Sequence, residues 1–246
     1  MSILSQINKI IGKRGSCYIV LIDPDKKNKD LIQTQVEAAN NADVDFLFIG
    51  GSLMMDSKFP ERVKQIKLIS NIPIILFPGN GMHINSFYDA ILFMSVLSGR
   101  NPHYLIGEQV ITAPIIKDLD IETISTGYIL IDCAAQSSVE FISGTKPIPM
   151  KRTDIAVAHA LAGQYLGMDL IYLEAGSGAK YPVPLSMIEA VGEAIDKPLI
   201  VGGGINTPEK AEKAVESGAS IIVTGNAIEN NFSIMNEFSD AIHTKK

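Results

Sequence analysis

Eight short runs dominated by Ile, Val, Leu and Phe recur along the chain, most of them closed by Gly or a small polar residue and followed by a polar, helix-patterned stretch. They are Tyr18 to Ile22, Asp45 to Ile49, Pro73 to Phe77, Ala90 to Ser95, Tyr128 to Ile131, Leu170 to Leu173, Pro198 to Val201 and Ser220 to Val223. This is the pattern of repeated strand and helix units. Within each run the apolar character is nearly continuous, as strands buried on both faces require. Eight such units in 246 residues predict a (β/α)8 barrel whose site lies at the C-terminal strand ends. A doubly wound open sheet is the other arrangement the pattern allows. No Pro- or Ser-rich linker divides the chain, so residues 1–246 are read as one domain.

Three segments depart from a regular barrel. PGNGMHINSF, between the third and fourth runs, is too short and Gly-rich for a full helix. Residues 100–127 carry one helix around His103 to Ile111, and residues 133–152 read as a long loop punctuated by Gly and Pro. Long loops in compact domains are often functional.

Composition excludes several function classes. The formal charge of −6, with Lys and Arg scattered, argues against a nucleic-acid surface. The start, MSILSQINKIIGKRG, lacks a signal-peptide apolar stretch, and no window approaches the roughly 18 apolar residues of a membrane span. Cys17 and Cys133 sit in or beside apolar runs and read as buried free thiols, in keeping with a reducing cytoplasm. The four histidines have no metal-ligand spacing, which argues against zinc.

The ends of the runs carry the polar chemistry. The first ends in Asp23-Pro24-Asp25-Lys26, the second in Gly50-Gly51-Ser52, the sixth in Glu174-Ala175-Gly176-Ser177-Gly178, the seventh in Gly202-Gly203-Gly204 and the eighth in Gly225-Asn226. In a barrel all five share one rim. Glycines after the last two strands let backbone approach a phosphate, and the helix starts that follow favour an anion. Thr207-Pro208-Glu209 has the cap, first-turn Pro and early acid of such a start. Ordinary strand-to-helix turns are the bland alternative.

Tyr172 and Glu174, two apart on a strand, point to the same face, and Leu173 to the other. Glu174 is a candidate base, or else a carboxylate making a structural hydrogen bond. Of Asp23 and Asp25, one is a candidate magnesium ligand, helped by a hydroxyl such as Ser52 when a diphosphate completes the shell; an Asp-Pro-Asp turn with capping carboxylates is the alternative. The bulky segment Phe87 to Leu97 is either barrel core or the wall of a hydrocarbon groove.

Taken together, LIDPDK, FIGGS, YLEAGSGAKYPVP, VGGGI and VTGNAIE resemble the geranylgeranylglyceryl phosphate synthase family, over about Tyr18 to Glu229. The resemblance implies a modified (β/α)8 barrel that joins sn-glycerol 1-phosphate to a polyprenyl diphosphate with Mg2+, releasing pyrophosphate. It implies Asp23 and Ser52 at the metal. It also implies Tyr172, Leu173, Glu174, Ala175, Gly176, Ser177, Gly178, Gly203, Gly204, Gly225 and Asn226 around glycerol phosphate, with Tyr172 and Glu174 catalytic and Glu174 engaging the C3 hydroxyl. Leu21 stands where the shorter bacterial relatives have Lys, and YLEAGSG where they have a YLEYSG-like motif, so the chain is similar to the longer, archaeal-like group. That favours a geranylgeranyl chain. A cytoplasmic homo-oligomer working at membrane surfaces without an anchor is the accompanying expectation. A phosphosugar isomerase or synthase on the same barrel and a non-catalytic phosphate-binding barrel are the rival readings; the Tyr172/Glu174 pair and the DPDK turn discriminate among them.

Overall fold

The computed structural model describes residues 1–51, 53–135, 137–229 and 231–244. Among the described residues nine parallel strands form: β1 (Cys17–Ile22), β2 (Phe46–Ile49), β3 (Ile74–Leu76), β4 (Ala90–Val96), β5 (Glu122–Asp132), β6 (Ile148–Pro149), β7 (Leu170–Glu174), β8 (Leu199–Gly202) and β9 (Ile221–Thr224). Eight of them close a barrel in the order β1-β2-β3-β4-β5-β7-β8-β9, with β9 pairing back onto β1 through Cys17 and Ile221. The short β6 adds to the end of β5, where Ile131 faces Ile148. All eight apolar runs are barrel strands, and the open-sheet alternative is excluded by the closure.

The strand faces divide the core in two. Ile19, Phe48, Ile75, Leu92, Tyr128, Tyr172, Ile200 and Val223 fill the barrel interior, while Val20, Leu47, Ile91, Ile129, Leu173, Val201 and Ile222 meet the surrounding helices. This two-sided burial is why the runs do not alternate. Helices α2 (Ile32–Asn41), α3 (Phe59–Ile69), α4 (Glu108–Asp118), α6 (Thr153–Tyr165), α7 (Leu185–Ala194), α8 (Pro208–Glu216) and α10 (Ile234–Ile242) form the outer layer; the one-turn helix α9 (Asn226–Glu229) opens directly after the loop that ends β9. At α8 the Thr207 side chain accepts from the Lys210 N–H and Pro208 takes the first turn, as the sequence predicts.

Helix α1 (Ile3–Arg14) packs Ile3 and Ile7 against the interior cluster, at the end of the barrel where β5 begins. Both carboxylate oxygens of Glu122, at the start of β5, accept from the Ile3 and Leu4 backbone N–H groups at 2.6 and 2.9 Å. A carboxylate there meets unsatisfied donors and the positive end of the helix dipole together. Glu122→Ala is expected to lower stability by about 1–2 kcal/mol in urea unfolding, with amide exchange loosened first at the start of α1.

The irregular segments resolve as follows. No helix covers the connection between β3 and β4; a single 3-10 turn, Gly81–His83, replaces it, as PGNGMHINSF predicts. His83 is fully buried, stacks on Phe59 with ring centroids 4.6 Å apart, and accepts the Gly79 N–H at Nδ1. Burial lowers its pKa to about 4, so the ring is neutral and holds the turn at physiological pH. The helix expected around His103 to Ile111 is a π-turn over His103–Gly107 running into α4. Strand β5 begins at Glu122, well before Tyr128, because Thr123, Ser125 and Gly127 pair with Ile91, Phe93 and Ser95 of β4 despite their weak apolar signal. Residues 133–152 are not all loop: they contain α5 (Ser138–Ser143), capped by Ser137, and β6.

Candidate active site

One cavity of about 570 Å3 opens at the C-terminal strand ends. Its polar end gathers Tyr172, Glu174, Ser177, Gly178, Gly203, Gly204, Gly225 and Asn226. Asp23, Lys27, Gly50 and Gly51 line an adjoining side. Ile84, Phe93, Met94, Val96, Tyr104 and Ile142 line a mainly apolar arm that also carries the polar Asn80, Glu108, Gln109 and Thr112. Both faces of β4 contribute, since Leu92 and Met94 belong to the barrel interior and Ile91 and Phe93 to the outer layer. No helix follows β3; the π-turn and α4 pack over β4 instead, and the cavity reaches Ile91 and Phe93 on that outer face. Within the segment Phe87 to Leu97, residues Ile91 to Met94 and Val96 line it, while Tyr88 and Ala90 are core.

Glu174 ends β7 opposite Gly202 of β8 and is only 8% exposed. Burial raises its pKa from 4.5 to about 6, against the opposing pull of the Gly176 N–H, which donates to Oε1 at 2.7 Å, and of the Tyr172 hydroxyl. A carboxyl tuned this way is a proton acceptor close to neutrality. Burial first, and the charge of Glu174 second, push the Tyr172 and Tyr128 phenols far above their ordinary range, so both stay neutral.

The glycines around Glu174 are required by space. Gly203 has φ +79°, and a Cβ there would lie 2.6 Å from Glu174 Oε1 and 2.8 Å from the Gly176 nitrogen. Gly204 continues the left-handed turn at φ +68°. Across the rim, Ser177 Oγ donates to Asn226 Oδ1 at 3.2 Å, tying the loop after β7 to α9.

Asp23 follows β1 and lines the cavity; Oδ1 accepts the Asp25 N–H at 3.1 Å, and Lys27 Nζ lies 3.8 Å from Oδ2. A Cβ on Gly51 would lie 2.6 Å from Asp23 Oδ1, so the backbone after β2 presses against this carboxylate. Asp25 does not line the cavity, and its buried Oδ1 has no partner among the described residues. Ser52 lies outside the described residues. A magnesium ion accepts few protein oxygens when phosphates and water complete its shell, so one carboxylate open to the cavity fits such an ion. Among the described residues no group of three or more His, Cys, Asp or Glu side chains could hold a metal ion.

Of the residues singled out by sequence, Leu173 and Ala175 pack in the outer core and do not line the cavity, and Gly176 acts through its N–H on Glu174. Sequence reasoning missed Lys27, Phe77, Tyr128 and Gln109. Tyr128 had a signal: it stands in the inward register, directly opposite Tyr172. Lys27 had one too, a cation four residues after Asp23. Nothing local marks Gln109.

A family model described as PcrB family matches residues 8–245. The chain belongs to the PcrB family. Among relatives of this PcrB-family protein, the geranylgeranylglyceryl phosphate synthase of Chitinophaga pinensis is 46% identical over 226 residues, 92% of this chain and 90% of that one. The one from Thermococcus kodakarensis is 46% identical over 218 residues, 88% and 86% of the two chains. The crystal structure of (S)-3-O-geranylgeranylglyceryl phosphate synthase from Thermoplasma acidophilum, in complex with substrate sn-glycerol-1-phosphate, matches with a TM-score of 0.92 at 34% identity over 99% of both chains. The N-acetylmannosamine-6-phosphate 2-epimerase of Clostridium perfringens, at 15% identity and a TM-score of 0.60, shares the fold alone.

Proposed function

We propose that this PcrB-family chain is a prenyltransferase that forms an ether bond between the C3 hydroxyl of sn-glycerol 1-phosphate and a polyprenyl diphosphate, geranylgeranyl diphosphate by preference, releasing pyrophosphate. The observation that carries the reading is one cavity with a buried carboxylate and glycine-rich strand ends at its polar end and an apolar arm beside them. A phosphosugar isomerase has no use for that arm.

Glycerol phosphate sits with its phosphate against the turns at Gly203, Gly204, Gly225 and Asn226, where backbone N–H groups approach an anion without a side chain in the way. Glu174 accepts the proton of the C3 hydroxyl as its oxygen bonds to the prenyl C1. Tyr172 holds the carboxylate in place through its hydroxyl. Holding both substrates in one cavity removes most of the entropic cost of their meeting. Asp23 would hold Mg2+, with Ser52; when bound, the ion offsets the charge developing on the leaving diphosphate. Lys27 adds a cation on the same side. No helix among the described residues is long and apolar enough to cross a membrane. The proposal includes a cytoplasmic homo-oligomer that meets its amphiphilic donor and product at the membrane surface.

The test is product formation from radiolabelled sn-glycerol 1-phosphate with a ladder of prenyl diphosphates, with and without magnesium, and sn-glycerol 3-phosphate as control. Label in an ether lipid only with the 1-phosphate isomer is the expected result; label with no donor at any length overturns the reading. In the same assay Asp23→Asn is expected to raise the magnesium requirement and cut turnover by about tenfold or more, with Asp25→Asn nearly silent. The reverse order would move the metal to Asp25.

A further inference from the structure

Phe77 lies just past β3 and lines the cavity beside Tyr128 and Tyr172. Its ring centroid is 5.8 Å from Tyr172, 6.3 Å from Tyr128 and 5.8 Å from Phe48, and its planes cross those of the two tyrosines at 77° and 73°. Tyr128 and Tyr172 are themselves 5.4 Å apart. Tyr172 bonds to Glu174 on one side; on the other the chain runs from Phe77 into the turn carrying Ile84 of the apolar arm. Phe77 is half-buried, and what its neighbours leave uncovered lines the cavity. The backbone enforces this placement: the Phe77 N–H donates to the Ile49 carbonyl at 2.9 Å, and its own carbonyl lies so close to Gly50 that a side chain there has no room.

This position has a chemical consequence, which rests on the function proposed above. A prenyl chain in the apolar arm and a glycerol hydroxyl at Glu174 put the prenyl C1 between them. As the C1–O bond breaks, its electron pair leaves with the diphosphate and the allylic carbons become cationic. The C3 oxygen then forms the new C–O bond with its own electron pair, and its proton goes to Glu174. A neutral aromatic ring stabilises such a cation through its negative face without trapping it, as a second carboxylate would. We propose that Phe77, backed by Tyr128 and Tyr172, is a catalytic residue whose ring faces the allylic cation.

The experiment replaces Phe77 by 4-fluoro-, 3,5-difluoro- and 3,4,5-trifluorophenylalanine, which keep the ring's shape while weakening its quadrupole, alongside Phe77→Leu. Turnover with geranylgeranyl diphosphate and KM for sn-glycerol 1-phosphate are measured for each. The expected result is a stepwise fall in kcat with fluorination, reaching about ten- to thirtyfold for the trifluoro ring and for F77L, with KM nearly constant. A flat kcat across the fluorinated series overturns the proposal, even if F77L is impaired, because packing and not ring charge would then explain the loss. Absence of product from the wild-type protein with every donor overturns the prenyltransferase reading itself, and this proposal with it.

Discussion

Glu174→Gln is expected to lower turnover by about 10²- to 10⁴-fold while glycerol phosphate binding, followed by calorimetry, changes only slightly. The amide keeps the shape and still accepts the Gly176 N–H, but it cannot take a proton. The pH profile adds a second readout. Wild-type kcat/KM is expected to rise with pH and level off above about 6, as Glu174 ionises; the Gln variant's residual rate is expected to lack that limb. Stability moves the opposite way. Because the folded-state pKa of Glu174 is raised from 4.5 to about 6, folding favours its neutral form. Its contribution is fully present below about 4.5 and is lost as pH rises through about 6. The loss at neutral pH is about 2 kcal/mol. Glu174→Gln removes it, so its Tm exceeds that of the wild type at pH 7.5 and matches it at pH 4. A variant as active as the wild type would remove Glu174 from the chemistry.

Gly203→Ala is expected to be nearly as damaging, by a route that involves no proton. At φ +79° an L side chain is strained, and its Cβ would sit 2.6 Å from Glu174 Oε1. Backbone strain of this kind costs about 1–3 kcal/mol. Relief requires the turn after β8 to move away from Glu174, and a displacement of about 1 Å in a site that aligns two substrates costs about 10² in rate. The expected profile is a lowered Tm, a raised KM for sn-glycerol 1-phosphate and a depressed kcat together. Gly218→Ala, also at positive φ but in the loop after α8 outside the cavity, is the control, because it shares the strain and not the site. Equal loss of activity in both variants would assign the effect to folding alone.

The legible part of this protein followed short-range rules. Strand runs such as Phe46–Ile49 and Leu170–Glu174 announce themselves because both faces are buried, and Thr207-Pro208-Glu209 announces a helix because cap, ring and charge act within one turn. The inward pairing of Tyr172 with Glu174 follows from the two-residue period of a strand. The first half of β5 was not legible. Ser125 and Thr126 take their place through partners far along the chain, Ser125 by its hydrogen bond to Asp169 at 2.7 Å. Gln109 was invisible for the same reason, since only the packing of α4 on β4 brings it to the cavity.

The amino-acid sequence by itself determined the eight strand units, the polar residues and glycine turns that end them, Asp23 and Glu174 among these, and the absence of a helix after the third strand. Each of these is written in periodicity, turn chemistry and local spacing, which act over a few residues. Only the tertiary structure decided that the strands close into a barrel, and not an open sheet, that Glu174 is buried enough to titrate near 6, that an apolar arm lies beside it, and that Phe77, Tyr128 and Tyr172 meet as one aromatic surface. Desolvation and cavity shape depend on what β3, β4, β5 and β7 bring together from opposite parts of the chain, and no local pattern encodes a neighbour that arrives only when the barrel closes.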